Sequence, residues 1–311
     1  IAILLASSVA FLVFLVKITL DSIFGPKVAQ IVPVIPGVTF EISPALLLSI
    51  FIILVVHEFG HAAASVHFKI PVRKIAFFVI LLLIGAFVEP EEDAIKRLRP
   101  VQRMGIYSAG IFMNLVSFLF FLLVTMALFP GFSILPGSAH PSGLYVQKVL
   151  EDGPSYGILP AGVVIRGIGD YEVTDFRSLT EALRNFAPGQ ENRVITDRGV
   201  FVVRLGSRPD NPGFPFLGVT LFPVPYYDPA IPVPPSMAVQ LLELFTFLLM
   251  FNLGLAGLNA LPILPLDGGL VASEILTLYL GDEKLARKVV WAISVPLALM
   301  LIYNVMLFFL S

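Results

Sequence analysis

Two histidines and a glutamate inside one apolar stretch carry the most specific chemistry of this chain. Residues 44–66 read PALLLSIFIILVVHEFGHAAASV and include His57, Glu58 and His61. On a helix, the His-Glu-x-x-His spacing places both imidazoles on one face, where they bind one metal ion, and leaves the glutamate near enough to act as a general base. Ionisable groups at membrane depth are costly unless they are paired or coordinate something. The pattern therefore predicts a metal-dependent hydrolase whose zinc ion lies within a membrane.

An aspartate much later in the chain is the candidate third ligand. Asp267 lies in the sequence NALPILPLDGG (residues 259–269), at the end of another apolar stretch. Prolines end a helix and glycines allow close backbone approach, so the carboxylate can be brought up to a metal. The chain has no cysteine, so the remaining ligand must be His, Asp, Glu or water. The alternative is an ordinary Pro-Leu-Asp-Gly turn.

The elements that must position these residues are membrane helices. The chain is 57% hydrophobic and 14% charged, whereas soluble domains are about 45–50% apolar and about 25% charged. The net charge of −2, without a basic stripe, gives no indication of nucleic-acid binding. Five apolar stretches are long enough to cross a bilayer: residues 1–24, 44–67, 104–129, 236–261 and 286–310. Residues 1–24 are interpreted as a whole span, the alternatives being the end of a span or a signal anchor.

A sixth apolar stretch, within residues 75–90, is too short to cross. Its β-branched and aromatic residues predict a re-entrant β segment, which is tolerated at membrane depth where it is buried in protein or lines a wet cavity. Such a strand offers its edge to an extended peptide.

Residues 138–225 differ in composition and predict a small α+β domain. Short alternating strands surround one helix, which begins after Asp175 and ends before Pro188. The proline-rich residues 223–235 are interpreted as a semi-rigid linker. The predicted organisation is an N-terminal membrane half (1–137), the inserted domain (138–225) and a C-terminal membrane half (226–311).

Basic residues near the ends of the spans predict the orientation. The region 67–103 and the region 265–288 are rich in lysine and arginine, whereas residues 25–43 contain only Lys27. Both basic regions are therefore expected on the cytoplasmic side, with the inserted domain outside and the His-Glu-x-x-His nearer the cytoplasmic face.

Taken together, the motifs resemble those of the site-2 protease family of intramembrane zinc metalloproteases. HEFGH and the N-x-x-P-x-x-P-L-D-G sequence match the two signatures of that family. A third element is represented by Gly110–Asn114, with Ile111 where the family usually has proline. The resemblance implies one zinc ion per chain and hydrolysis of peptide bonds in or near transmembrane helices. It also implies substrate contacts at Asn114, Gly85 and Phe87. Asn259 is a candidate for a hydrogen bond to the substrate backbone or to the developing oxyanion, and a hydrogen bond between membrane helices is the alternative.

The inserted domain resembles a circularly permuted PDZ domain. The resemblance lies in LPAGVVIRGIGD (residues 159–170), the helix and Pro188-Gly189. It implies a peptide-binding, carboxylate-loop-like strand at Phe216, Leu217, Gly218 and Val219. A domain that acts only as a steric gate is the alternative.

Two other classes of function compete with a protease. A catalytically silent peptide-binding scaffold predicts a damaged motif, whereas His57, Glu58, His61 and Asp267 are all present. A metal transporter predicts polar residues in series across several spans, whereas one cluster stands out. The expected partners are a transmembrane protein or peptide substrate and membrane lipid, with no nucleic acid. The expected location is a prokaryotic plasma membrane.

Overall fold

Long helices make up most of the structure, and short strands fill the centre of the chain. A computed structural model describes residues 1–25, 31–80, 83–135, 137–208 and 210–310, without the side chains of residues 75–90 and 92. The helices are α1 (Ala2–Phe24), α2 (Pro44–His67), α3 (Glu92–Lys96), α4 (Pro100–Leu128), α5 (Phe176–Leu183), α6 (Pro235–Ala260), α7 (Asp267–Leu280) and α8 (Glu283–Leu310). The strands are β1 (Val72–Ile80), β2 (Leu83–Pro90), β3 (Leu144–Val149), β4 (Val164–Ile168), β5 (Tyr171–Glu172), β6 (Glu191–Thr196), β7 (Gly199–Arg204), β8 (Gly206–Arg208), β9 (Asn211–Phe216) and β10 (Val219–Leu221).

Five of the described helices are long and apolar enough to cross a membrane: α1, α2, α4, α6 and α8. They coincide with the five predicted stretches to within a few residues, which confirms the prediction of a polytopic helical protein. Their starts follow local rules. Ser43 accepts a hydrogen bond from the amide of Leu46 and Pro44 occupies the first turn of α2. Asp282 accepts from two amides at the start of α8.

The contacts divide the chain into two compact units, here named the helical unit (residues 1–121 and 246–311) and the sheet unit (residues 122–245). In the helical unit, α1, α4, α6 and α7 share one apolar cluster formed by Leu4, Met104, Ile111, Ala256, Ala260 and Val271. The antiparallel hairpin of β1 and β2 belongs to the same unit, and β2 runs beside α2. The predicted β segment over 75–90 is thus a two-stranded hairpin, although its re-entrant position in a membrane stays a prediction.

The sheet unit is built on an antiparallel sheet with the order β10-β3-β4-β6-β7, to which β5 adds at β4. Its core is apolar and includes Leu144, Ile165, Ile168 and Val194, each fully buried. Asp175 caps α5 by accepting from the amide of Ser178, as the sequence predicts.

Two regions depart from the sequence-based expectation. No helix is predicted within the basic region 265–288, yet it contains α7, which is too short to span a membrane and carries no basic residue in its last turn. The proline-rich 223–235 segment is less linker-like than its composition suggests, because Tyr226 and Tyr227 are buried in an apolar cluster of the sheet unit. Arg166 also forms two hydrogen bonds to Asp228 there.

Candidate metal centre

One face of α2 carries the two histidines of the candidate centre. His57 and His61 stand one helical turn apart, and their side chains are 9% and 14% exposed. Their Nε2 atoms lie 3.2 Å from each other. Both nitrogens therefore point at one small volume, as the spacing in the sequence predicts.

Asp267 reaches that volume as the first residue of α7. Its Oδ2 lies 3.3 Å from His57 Nε2 and 3.4 Å from His61 Nε2. The turn before it is held by α8, where the buried Ser294 Oγ accepts a hydrogen bond of 2.9 Å from the amide of Leu264. The structure thus brings together residues that lie far apart in the sequence.

The three donor atoms fit a zinc ion. A tetrahedral ion with bonds of about 2.0–2.2 Å places neighbouring ligand atoms about 3.3–3.6 Å apart, which is close to the spacings of 3.2, 3.3 and 3.4 Å found here. Asp267 Oδ2 is buried, and no described residue provides it with a hydrogen-bond partner. An oxygen buried in this way is costly unless a cation or a donor satisfies it. Two imidazoles and one carboxylate are also the ligand types of open catalytic zinc sites.

A backbone carbonyl on α4 orients one of the histidines. His61 Nδ1 lies 2.9 Å from the carbonyl oxygen of Ile106. Since a carbonyl only accepts, Nδ1 carries the proton, and in the neutral ring Nε2 keeps its lone pair for a metal. Such outer hydrogen bonds hold metal-binding histidines in the required tautomer and orientation.

Glycines let the backbone approach the centre closely. A Cβ atom on Gly110 would lie 2.5 Å from His61 Nε2 and 2.8 Å from His57 Nε2. A Cβ atom on Gly60, inside the motif itself, would lie 2.5 Å from the carbonyl oxygen of Ala109. Gly268 and Gly269 are equally close to the backbone before α7. Side chains at these positions would displace the helices that hold the ligands.

The other predicted residues of the site lie on neighbouring elements. Glu58 is half-buried on α2, between the histidines in sequence. Asn114 on α4 is fully buried, and neither of its polar side-chain atoms has a hydrogen-bond partner in the described part of the chain. Asn259 is half-buried near the end of α6. Gly85 and Phe87 lie on β2, paired with Phe78 and Ala76 of β1, and their side chains lie outside the described part of the structure.

The predicted peptide-binding residues lie in the sheet unit. Phe216 ends β9, Leu217 is buried in the core, and Val219 begins β10. Gly218 has a φ of 72°, and its carbonyl accepts a hydrogen bond from the amide of Leu150. The four residues thus link β9 to β10, the outermost strand of the sheet on that side.

Sequence reasoning missed several residues that support the centre. The Ile106 carbonyl and the Ser294 hydroxyl have no signal in a single sequence, because their roles depend on which helices meet. Gly110 has a partial signal, since it opens the Gly110–Asn114 element.

Comparisons with known proteins place this geometry in a family. The family model described as Peptidase family M50 matches residues 45–303. The chain belongs to this family. The match includes His57, Glu58, His61 and Asp267. The M50 peptidases are thus the context in which the His-His-Asp arrangement is to be interpreted.

Individual relatives cover smaller parts of this M50 chain. It is 33% identical over 128 residues to the membrane-bound transcription factor site-2 protease homolog of Arabidopsis thaliana, a match of 41% of this chain and 24% of that protein. The chain therefore spans about a quarter of the length of that relative. Among solved structures, the PDZ domain of an SdrC-like protein from Listeria monocytogenes is 21% identical, with 26% of this chain and 87% of that chain covered and a TM-score of 0.23.

Proposed function

We propose that this M50 chain is an intramembrane zinc endopeptidase that cleaves peptide bonds in or near the transmembrane helices of membrane-anchored substrates. The observation that carries the proposal is the convergence of His57 Nε2, His61 Nε2 and Asp267 Oδ2 within 3.4 Å of one another. The position of both histidines on a helix apolar enough to span a membrane supports the intramembrane location.

His57, His61 and Asp267 would hold one zinc ion, and Glu58 would handle protons. Zinc supplies Lewis acidity, which makes a water molecule nucleophilic at neutral pH. Glu58 accepts the proton from the attacking water and delivers it to the leaving amine nitrogen. His61 keeps its orientation through the Ile106 carbonyl during this transfer.

The substrate is expected to bind in an extended form. A helical peptide bond is shielded by its own hydrogen bonds, so the substrate must unwind before it is cleaved. The position of β2 beside α2 supports pairing of the unwound segment with the hairpin, with contacts at Gly85 and Phe87. Among the described residues, nothing pairs with the side-chain amide of Asn114, which suits a substrate backbone. Asn259 is assigned a similar contact or a role with the developing oxyanion.

The sheet unit is proposed to be a PDZ-like domain that binds peptide. The outer position of β10 supports strand addition, and residues Phe216–Val219, which lead into β10, would receive the end of the peptide. The proposed organisation keeps boundaries at 137/138 and 225/226. It also places the PDZ-like domain outside a prokaryotic plasma membrane, in contact with lipid, with the active site nearer the cytoplasm.

Cleavage of a model single-span substrate in detergent tests the proposal. The wild type, Glu58→Gln and Asp267→Ala are compared, with bound zinc measured in each. Glu58→Gln should keep zinc and lose at least about 100-fold in rate, since general-base groups contribute that much or more. Asp267→Ala should lose both zinc and cleavage. Asp93→Asn, which changes an exposed carboxylate on α3, should match the wild type.

Two results would contradict the proposal. Full cleavage by Glu58→Gln would remove the glutamate from the mechanism. A wild-type protein that binds no metal would remove the metal site itself and would favour the peptide-binding scaffold.

A further inference from the structure

A largely buried ion pair joins α4 and α7, the helices that bring Gly110 and Asp267 to the candidate metal centre. Arg103 on α4 donates a hydrogen bond of 2.7 Å to Glu274 on α7, and each side chain is only 15% exposed. Solvent-exposed ion pairs contribute little to stability, but a buried charge that loses its partner is strongly unfavourable. This pair therefore has one strongly preferred arrangement.

The spacing along both helices relates the pair to the metal centre. Glu274 follows Asp267 by seven residues, and Arg103 precedes Gly110 by seven residues. Seven residues make about two turns and about 10.5 Å of helix. Asp267 and Glu274 therefore share one face of α7, and Arg103 and Gly110 share one face of α4. Gly110 lies against both imidazoles, and Asp267 reaches the same imidazoles from α7. The two helices thus present equal lengths between the ion pair and the centre.

Between the ion pair and the metal centre, the packing of α4 against α7 agrees with an antiparallel alignment of the two helices. Met104 of α4 and Val271 of α7 belong to the same buried apolar cluster. Apolar contacts of this kind tolerate sliding, because they have no direction. The Arg103–Glu274 hydrogen bond has both a direction and a short length, so it selects one axial position.

We propose that Arg103 and Glu274 are positioning residues, which set the register of α7 against α4 and so hold the Asp267 carboxylate level with His57 and His61. This inference rests on the proposed zinc site. A shift of α7 by one residue, about 1.5 Å along its axis, would carry Asp267 Oδ2 away from the positions that suit a common ion. In this proposal both residues act through Asp267, and neither belongs to the candidate ligand set of His57, His61 and Asp267.

Zinc affinity and metal geometry, measured on the full chain in detergent, test the register role. The variants are Arg103→Gln, Glu274→Gln, the double variant and the reversed pair Arg103→Glu with Glu274→Arg. Zinc affinity is measured by chelator competition, and the visible absorption of the Co²⁺-loaded protein reports ligand geometry. Each single variant should bind zinc about 10–100-fold more weakly, as is typical for residues that support metal ligands.

The pattern among the variants separates coupling from general damage. The double variant should bind zinc at least as tightly as the single variant with the lower zinc affinity. The reversed pair should recover part of the zinc affinity that the single variants lose. Arg166→Gln breaks a short ion pair in the sheet unit and Arg97→Gln removes an exposed charge. Both controls should keep the zinc affinity and the Co²⁺ spectrum of the wild type.

Each outcome decides a different question. Single variants that melt at a lower temperature but keep wild-type zinc affinity and Co²⁺ spectrum would overturn the register role and leave the zinc site intact. A wild-type protein that binds neither Zn²⁺ nor Co²⁺ would overturn the zinc site and this inference with it.

Discussion

The helical unit and the sheet unit differ in how they treat buried polar atoms. Among the described residues, ten buried side-chain atoms without a hydrogen-bond partner belong to the helical unit, and a single one, Asn192 Nδ2, belongs to the sheet unit. Such atoms cost free energy, about 1–3 kcal/mol each. Within the described residues, the interior of the sheet unit is thus almost fully hydrogen-bonded, whereas the helical unit buries several polar atoms without a partner.

The unpaired atoms of the helical unit are not all equivalent. Asn252 and Asn304 each leave their Oδ1 unpaired but donate from Nδ2 to a carbonyl one turn earlier, and Asn304 also donates to Thr19. These residues serve helix packing. His57, Asn114 and Asp267 instead lie on α2, α4 and α7, the helices that form the candidate metal centre.

The largest expected effect is a loss of stability of the sheet unit that leaves zinc binding at the candidate metal centre unchanged. Ile165→Ala removes a fully buried side chain and should destabilise the unit by about 2–5 kcal/mol through lost burial and a cavity. Amide hydrogen exchange over residues 144–221 in the full chain measures the loss, and zinc affinity should stay unchanged. Val200→Ala, at an exposed position, is the control. A parallel fall in zinc affinity would contradict the contrast between the units.

The converse substitution weakens zinc binding at the candidate metal centre and leaves the stability of the sheet unit unchanged. Gly110→Ala places a Cβ against both imidazoles and should weaken zinc binding about 10–100-fold. Helix propensity alone favours alanine by about 1 kcal/mol, so a loss must come from the contact. Gly254→Ala on α6, where no atom of the described residues beyond the surrounding helix lies within 4 Å of the new Cβ, should bind zinc normally. Equal affinity for both variants would show that α4 yields to the added methyl group.

A smaller expected effect is a substitution in the helical unit that raises stability while it lowers activity. Asn114→Leu removes a buried, unpaired amide and should raise the free energy of unfolding by about 1 kcal/mol while it lowers the cleavage rate. Melting temperature and cleavage of the single-span substrate are measured together. Asn252→Leu serves as the control and should leave cleavage unchanged. A destabilised Asn114→Leu protein would mean that Asn114 has a structural partner instead of a substrate role.

The smallest effect depends on pH and belongs to the sheet unit. The hydrogen bonds from Arg166 lower the pKa of Asp228 below its ordinary value. The ion pair therefore stabilises the unit above about pH 4, the ordinary value of the carboxyl group, and the contribution is lost as the pH falls through the lowered pKa.

The variant Asp228→Asn measures this contribution. Because Asp228 is well exposed, the loss at pH 7 should be less than about 1 kcal/mol. The difference from the wild type should vanish in acid. A difference that grows as the pH falls would contradict the assigned pairing. Hydrogen exchange near residues 222–230 provides the readout.

Features that depend on neighbouring residues in the sequence can be predicted from it, whereas features that depend on contacts between distant elements cannot. The five spans and the pair His57 and His61 depend on patterns within one helix, so a single sequence displays them. The placement of Asp267 near the histidines was anticipated from a proline and glycine context, but the helix α7 that begins at this residue was not. Its sequence, DGGLVASEILTLYL, is shorter than a span and lacks the basic residues that mark a helix end.

The residues that hold the metal-binding side chains in place cannot be predicted from the sequence. The Ile106 carbonyl, the Ser294 hydroxyl and the Arg103–Glu274 pair act across helices, and each depends on the register of two elements. The burial of Tyr226 and Tyr227 was hidden for a related reason, because the prolines around them indicate an extended segment but do not show what it packs against.

The close approach at Gly60 has a consequence for anyone who searches for or redesigns such proteins. The His-Glu-x-x-His pattern treats the residue before the second histidine as open to any amino acid. In this chain a single added carbon there would meet the carbonyl oxygen of Ala109 at 2.5 Å and the side chain of Met113 at 2.9 Å. A mutational library that randomises this position while it preserves both histidines and the glutamate should therefore return few active clones, most of them with glycine.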